Sequence, residues 1–313
     1  MTTVDAPNRT SAEVYNELRK RLAPSTVLRR DEPLAKRTTL RVGGPAEIYV
    51  EPASEEDLCA VVEYCRPNDV KWMILGRGSN LLIRDGGIRG VVISLGHPYF
   101  SRIEAIDGKL RCGAGARLKN VAIEARRNEL AGMEFLEGIP GSVGGALRMN
   151  AGAMGSYMFA VVESVRYMDP HGIVVDAPAS LIHHEYRNCP FFQKHIALAA
   201  LMSGIPSRRI EIERVMNECS KKRWGAQPAA PSAGCIFKNP QTVPAGKLIQ
   251  ELGLKGTRVG GAVVSDVHGN FIVNDGNATA RDVLELIEIV KERALRERGI
   301  ELKTEVEIVG VDG

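Results

Sequence analysis

The sequence predicts an α+β protein of two or three domains, and three observations point there. Its 313 residues exceed the typical length of one domain, so more than one core is expected. Segments toward both ends carry apolar residues at helical spacing. The middle instead breaks into short apolar runs around glycine-dense stretches, the pattern of short strands and turns.

Taken in order, residues 10–23 read as a helix with Val14, Leu18 and Leu22 on one face. A strand, "AEIYVEPAS", follows a Gly-Gly turn, and residues 54–66 form a second helix whose first turn suits Ser54 and Asp57. "WMILGRGSNLLI" reads as a buried strand, a glycine turn and a short strand, and "GGIRGVVISL" as another turn and strand. The first hundred residues thus resemble a small α/β unit. From about 100 to 220, strands are expected in "SRIEAIDGKLRCGAG", "SVRYMDPHGIVVDA" and "HIALAALMSG", with a helix carrying Val121, Ala122 and Ala125. A helix over about 207–223 presents Ile212, Val215, Met216 and Cys219 on one face and breaks at "GAQPAAPSAG", a domain boundary. The last third holds a short helix in "AGKLIQELGLKG" and strands in "VVSDVHGNFIVN". A helix then starts at Thr279, which makes a capping-box variant with Asp282 and carries Val283, Ile287, Val290 and Ala294 at helical spacing. "EVEIVGV" is the closing strand, and no internal repeat is evident.

Composition narrows the function. The chain is 44% hydrophobic and 25% charged, ordinary for a globular protein, and no apolar run approaches the roughly 18 residues that span a bilayer. The N-terminal "MTTVDAPNRTSAEVYNELRKRL" lacks a signal-peptide apolar block, so a cytoplasmic location is expected. A formal charge of +3 without a basic block interleaved with aromatics argues against nucleic acid. The cysteines Cys59, Cys65, Cys112, Cys189, Cys219 and Cys235 form no CxxC pairs and have no histidines at ligand spacing, so neither a metal site nor a disulfide framework is expected. No obligate protein partner is evident.

Two glycine segments draw the eye: "GRGSN" at 76–80 and "EGIPGSVGGALRMNAGAMG" at 137–155. Without a Cβ, main-chain N–H groups can converge on an anion such as a diphosphate. Neither segment matches the dinucleotide fingerprint or the Walker loop, since "GRGSN" lacks a third glycine and a following lysine. Alone, "GRGSN" is as consistent with a tight turn as with a phosphate cradle.

The ordered segments "TTLRVGGPAE", "LGRGSNLLI", "GIPGSVGGALRMNAGA", "YRNCPF", "PSAGCIFKNP", "LGLKGTRVGGAVVSDVHGNFIVN" and "TEVEIVG" resemble those of UDP-N-acetylenolpyruvoylglucosamine reductases, the MurB family, over about residues 37–310. The resemblance implies a three-domain flavoprotein with a vanillyl-alcohol-oxidase-type FAD-binding region and an α+β substrate-binding domain. It places FAD-binding subdomain 1 at 1–95, joined by the C-terminal strand 306–313, subdomain 2 at 96–222, and the substrate-binding domain at 223–305. It further implies non-covalent FAD, NADPH as hydride donor, and reduction of UDP-N-acetylglucosamine enolpyruvate to UDP-N-acetylmuramate for peptidoglycan. The short stretch from "YRNCPFF" to "RWGAQP" is like that of the shorter, type II members.

Residue by residue, the matching motifs imply FAD contacts at Gly76, Arg77, Gly78, Ser79, Asn80 and Leu81, and at Gly138, Ile139, Pro140, Gly141, Ser142, Gly144, Gly145, Asn150, Ala151 and Gly152. Arg187 would hold the substrate carboxylate with its planar, two-pronged donor. Glu305 would lie close to Arg187 and help polarise or protonate that carboxylate. Outside the motif, Arg187 would be an ordinary ion pair, and Glu301 or Glu307 would serve as well as Glu305. Cys235 stands where many relatives carry a proton-donating serine. A thiol's reference pKa of about 8.5 leaves it mostly protonated near neutrality, so the role is retained while sensitivity to alkylation and oxidation is gained. The other five cysteines are expected to be buried packing residues. Asn239, Lys255 and His268, with Tyr186 and Lys238 as weaker additions, match nucleotide-sugar contacts. Ala226 stands where many relatives have lysine, which shifts diphosphate binding toward Lys255 or Arg223. The competing readings are another flavoprotein of the same fold, such as a carbohydrate oxidase that uses oxygen and carries a His or Cys for covalent flavin attachment near the first loop, and a non-enzymatic flavin- or nucleotide-sugar-binding module. Residues 76–90 contain neither His nor Cys.

Overall fold

The computed structural model describes residues 9–313; the polar stretch at 1–8, part of the N-terminus read above for an apolar block, lies outside the described residues. The chain divides into two compact units. Of the described residues, one takes 9–30, Ile48–Gly76 and Gly90–Lys221, and the other Asp31–Glu47, Arg77–Arg89 and Lys222–Gly313.

In the first unit, α1 (Ser11–Arg21) starts at a capping box in which Glu13 N donates to Thr10 Oγ1 and Thr10 N donates to Glu13 Oε2. Its Val14 and Leu18, with Leu22 just beyond, form the buried face that their spacing predicts. Helix α2 (Glu55–Cys65) is capped by Ser54, whose hydroxyl accepts from Asp57 N at 3.2 Å. The buried Asp57 carboxylate accepts from Ala23 N at 2.9 Å and Thr26 Oγ1 at 2.6 Å, and so ties the end of α1 to the start of α2. A five-stranded antiparallel sheet runs in the order Val174–Pro178, Val162–Met168, Ile196–Ser203, Lys109–Gly113, Ile103–Ile106. Helix α3 (Leu118–Arg127) buries Leu118, Val121, Ala122 and Ala125, and the seven-residue α4 (Val143–Met149) lies against strand Ile196–Ser203. A four-stranded sheet, in the order Val27–Pro33, Pro45–Glu51, Ile88–Ser94, Trp72–Leu75, completes the pattern. The division between units falls inside its first three strands.

Helix α5 (Arg209–Ala226) buries Ile212, Met216 and Cys219. It runs past the expected end near 223 because Gly225 is tolerated in a helix, and it stops at Gln227, before Pro228, where the helical conformation is disfavoured.

The second unit is built on an antiparallel sheet of Ser232–Cys235, Phe271–Asn274, Ala262–Val264 and Arg258–Val259. Helices α6 (Ala245–Glu251) and α7 (Ala280–Arg298) contribute Leu248, Ile249, Val283, Leu286, Ile287, Val290 and Ala294 to its core. The capping box expected at Thr279 and Asp282 is formed. The closing strand spans only Glu307–Val309, because its parallel partner, Leu81–Ile83, offers only three residues. The end of "GAQPAAPSAG", read above only as a break and boundary, enters the strand Ser232–Cys235, which has a shift of register between those two residues, where Gly234 adopts φ +79°.

Cys65, Cys112, Cys189 and Cys219 are buried, and burial pushes the Cys65 and Cys112 thiols up to about 12. Cys59 departs from the expected burial: it is half-exposed and its Sγ donates to Gly172 O at 3.6 Å. Among the described residues no helix is long and apolar enough to cross a membrane.

Candidate active site

In the first unit, Arg187 sits on a tight turn closed by Glu185 N to Asn188 O and Asn188 N to Glu185 O, at 2.8 and 3.3 Å. Its backbone lies in the left-handed region at φ +57°, uncommon for a residue with a Cβ. The guanidinium donates from Nη1 to Gly152 O at 2.9 Å and stands 5.4 Å from the Tyr186 ring centroid. Tyr186 itself is 82% exposed. Asn150, at the left-handed C-cap of α4, donates from Nδ2 to Glu185 O and accepts from Phe159 N. Asn150 and Gly152, expected only as cofactor contacts, therefore also fix the turn that carries Arg187.

The glycine-dense segment is more self-contained than expected. The amides of Ile139, Gly141, Val143 and Gly144 donate to Leu136, Ile139, Ala116 and Ala114 carbonyls, and Pro140 has no N–H. These groups hold the loop's shape instead of converging on an anion. What remains for a ligand is a floor without Cβ atoms. A Cβ at Gly76 would stand 3.1 Å from Ser142 Oγ, one at Gly145 3.6 Å from the same oxygen, and one at Gly144 3.1 Å from Ala114 Cβ. The two glycine segments thus come together at Gly76 and Ser142, and such a bare, closely packed backbone fits a flat cofactor with a diphosphate.

In the second unit, Gly78 has φ +58°, and a Cβ there would meet Thr38 Cα at 2.8 Å. Thr39 joins this loop to the cysteine strand: its amide donates to Gly78 O at 3.3 Å and its hydroxyl to Ser232 O at 2.7 Å. Asn80 Nδ2 donates to Glu305 O at 3.2 Å, Asn80 O accepts from Glu307 N at 3.0 Å, and Leu81 pairs with Glu307. Glu305 N in turn donates at 2.8 Å to the carbonyl of Ile236, the residue after Cys235. Cys235 is half-exposed. Gly78, Ser79, Asn80, Cys235 and Glu305 are thus assembled within one unit from three distant stretches of chain, with Arg77 exposed at the loop's edge.

The expected nucleotide contacts divide. Lys238 and Asn239 are exposed after the cysteine strand, and Asn239 Oδ1 accepts from Ala245 N at 3.0 Å, which leaves Nδ2 to donate to a ligand. His268 is half-buried. Burial, then the charge of Lys255, push its imidazole below the ordinary range, so it is neutral near pH 7. Its Nδ1 accepts from Asn270 N at 3.1 Å, which puts the ring proton on Nε2 and makes it a donor. The Lys255 and His268 pair is therefore a cation next to a neutral donor, a combination suited to a phosphate or sugar oxygen.

Three positioning side chains escaped the sequence reading: Thr39, Ser265 and Asn270. Ser265 is buried and its Oγ accepts from the amides of Val267 and His268. Asn270 is buried and bonds both the N–H and the C=O of Phe237. The signal was present in "TTLRVGG" and "SDVHGN", but small polar residues bonding distant backbone leave no periodicity.

Residues 227–309 match the family model described as UDP-N-acetylenolpyruvoylglucosamine reductase, C-terminal domain, and residues 46–178 match an FAD binding domain. The chain is 41% identical over 299 residues to a UDP-N-acetylenolpyruvoylglucosamine reductase of Syntrophomonas wolfei, covering 95% of this chain and 99% of that one. It is 43% identical over 287 residues to the protein of the same name from Syntrophus aciditrophicus, covering 90% and 92%. The crystal structure of the reductase from Thermus caldophilus superposes with a TM-score of 0.79 at 38% identity, covering 91% of this chain and 100% of that one.

Proposed function

Since the chain belongs to the UDP-N-acetylenolpyruvoylglucosamine reductase family, we propose that it carries out that reaction with Arg187, Cys235 and Glu305 as its catalytic groups. The enzyme is an FAD oxidoreductase that reduces the enolpyruvyl ether of UDP-N-acetylglucosamine with NADPH, giving UDP-N-acetylmuramate. Hydride transfer from NADPH to one carbon of the enolpyruvyl double bond is the chemistry that bound FAD would supply.

The protein's own work is charge and proton management. Arg187 holds the substrate carboxylate as negative charge builds on it during hydride addition, and its turn, fixed through Gly152 and Asn150, keeps that donor pre-aimed. Cys235 gives its Sγ proton to the neighbouring carbon, and the thiolate then regains a proton from water. Glu305 polarises the same carboxylate. Gly76, Gly78, Ser142, Gly144 and Gly145 hold the cofactor by close backbone approach. Lys255 and His268 meet the nucleotide diphosphate and sugar, with Asn239, Lys238, Tyr186 and Arg223 at the edge. The 2.8 Å bond from Glu305 N to Ile236 O supports the proposal, because it joins the segments that carry Cys235 and Glu305.

Subdomains 1–95 and 96–222 hold FAD, the first joined by 306–313, and 223–305 holds the nucleotide sugar; the two sheets sharing the first unit's core support the former pair. The chain is of the shorter, type II form, works in the cytoplasm, and serves cell-wall synthesis and thus cell shape and division. The test is NADPH oxidation by the purified protein with and without the enolpyruvyl nucleotide sugar, with mass analysis of the product. Oxidation at equal rates in both, with oxygen consumed, would identify an oxidase instead.

A further inference from the structure

Asn270 stands behind the cysteine strand with three connections to it and its neighbours. The residue is 3% exposed. Oδ1 accepts from Phe237 N at 2.9 Å and Nδ2 donates to Phe237 O at 2.8 Å, so one side chain imitates the pairing of a neighbouring strand. Its own carbonyl accepts from Ile236 N at 2.8 Å. Its own amide donates to His268 Nδ1 and sets that ring's tautomer.

The clamp occurs where the cysteine strand changes partner. The strand Ser232–Cys235 pairs with Phe271–Asn274 only at Ser232 with Val273 and Cys235 with Phe271, with a register shift between. Beyond Cys235 the chain leaves this ladder, and Phe237 forms an antiparallel bridge with Thr304, flanked by the bonds from Glu305 N to Ile236 O and from Lys238 N to Lys303 O. Ile236 is then held from two sides, by Asn270 O on its amide and by Glu305 N on its carbonyl. A buried amide that satisfies both polar groups of one residue fixes that residue's depth and direction, since displacement would leave donor and acceptor unpaired.

We propose that Asn270 is a positioning residue that fixes the Cys235 thiol relative to Glu305, so that protonation of the substrate carbon, and not hydride uptake from NADPH, depends on it. This rests on the reaction assigned above. The same contacts make Asn270 a link between the proton donor and His268, so substrate binding and proton delivery share one buried support.

The test uses the holoenzyme and the variant Asn270→Ala, with Asn270→Asp, which keeps the acceptor and replaces the Nδ2 donor, read in its place if the first fails to fold. Two readouts are taken. Anaerobically, flavin bleaching by NADPH is expected to stay within about twofold of wild type, while its reoxidation by UDP-N-acetylglucosamine enolpyruvate slows at least about tenfold. In the protein stripped of FAD, iodoacetamide labelling followed by peptide mass spectrometry is expected to show Cys235 reacting at least about threefold faster, with the buried Cys65 and Cys112 unchanged. Equal loss in both half-reactions with all three cysteines reacting faster would make Asn270 a general structural residue and overturn the proposal, as would no change in either readout. Wild-type flavin that the nucleotide sugar fails to reoxidise would instead overturn the assigned reaction, and the labelling arm would still decide whether Asn270 fixes Cys235.

Discussion

Glu305 N donates to the carbonyl of Ile236 at 2.8 Å, and this one backbone bond places Cys235 and Glu305, the two residues of the second unit given roles in the proposed reaction, on adjoining segments. Seventy positions of sequence separate them, yet the short pairing of Glu307–Val309 with Leu81–Ile83 brings the C-terminal segment back to the first glycine loop.

The role of the sulfur is open to a direct substitution. Cys235→Ser is expected to retain measurable turnover while becoming indifferent to iodoacetamide, because a hydroxyl also carries a proton but is not alkylated. Cys235→Ala is expected to lose about two to four orders of magnitude in turnover, the usual contribution of a positioned general acid, with flavin bleaching by NADPH intact. Stopped-flow absorbance of the two half-reactions measures both, and full turnover by the alanine variant would remove the thiol from the mechanism.

Arg187 is asked for a planar, two-pronged contact made strongest in the transition state. Arg187→Lys is expected to lower the rate of substrate-dependent flavin reoxidation by about 100-fold or more, the scale seen when an oxyanion donor is lost. Folding should be little changed, since the turn is closed by backbone bonds between Glu185 and Asn188. Thermal melts run beside the kinetics separate the two effects.

At Gly78 the backbone itself is the functional part. Gly78→Ala imposes a Cβ at φ +58° and 2.8 Å from Thr38 Cα. The left-handed conformation alone costs about 1–2 kcal/mol, before the collision is counted. Urea unfolding of the FAD-stripped protein should show at least that loss, and fluorescence titration should show weaker FAD binding.

His268 gives the fold a pH dependence with a defined sign. Burial and Lys255 lower its folded pKa below the ordinary value of about 6.5, so between the two values the unfolded chain binds more protons. Its contribution to stability is therefore complete above about pH 6.5 and is lost as pH falls through the lowered folded value. Unfolding temperatures measured from pH 8 to pH 5 should fall less steeply for His268→Gln than for wild type.

Elements with a strong period were legible from the chain alone. The Val14, Leu18, Leu22 face and the Val283, Ile287, Val290, Ala294 face needed only helical spacing, and Thr279 with Asp282 announced its own helix start. The glycine segments showed that a ligand could approach the backbone closely, but not that the amides of Ile139, Gly141, Val143 and Gly144 would be used inside the loop. Arg187, Cys235 and Glu305 could be singled out only by resemblance to a known family, because one arginine, cysteine or glutamate has no spacing to betray it. Thr39 and Asn270 stayed hidden for a further reason: each works through backbone atoms 193 and 33 positions away, a relation that exists only after folding.

The most direct measurement is an anaerobic two-step titration of the FAD-loaded protein. Addition of NADPH is predicted to bleach the flavin absorbance, and subsequent addition of UDP-N-acetylglucosamine enolpyruvate to restore it with stoichiometric formation of UDP-N-acetylmuramate. Flavin that stays bleached until air is admitted would contradict the account and make the protein an oxidase, and protein that takes up no FAD would contradict it outright.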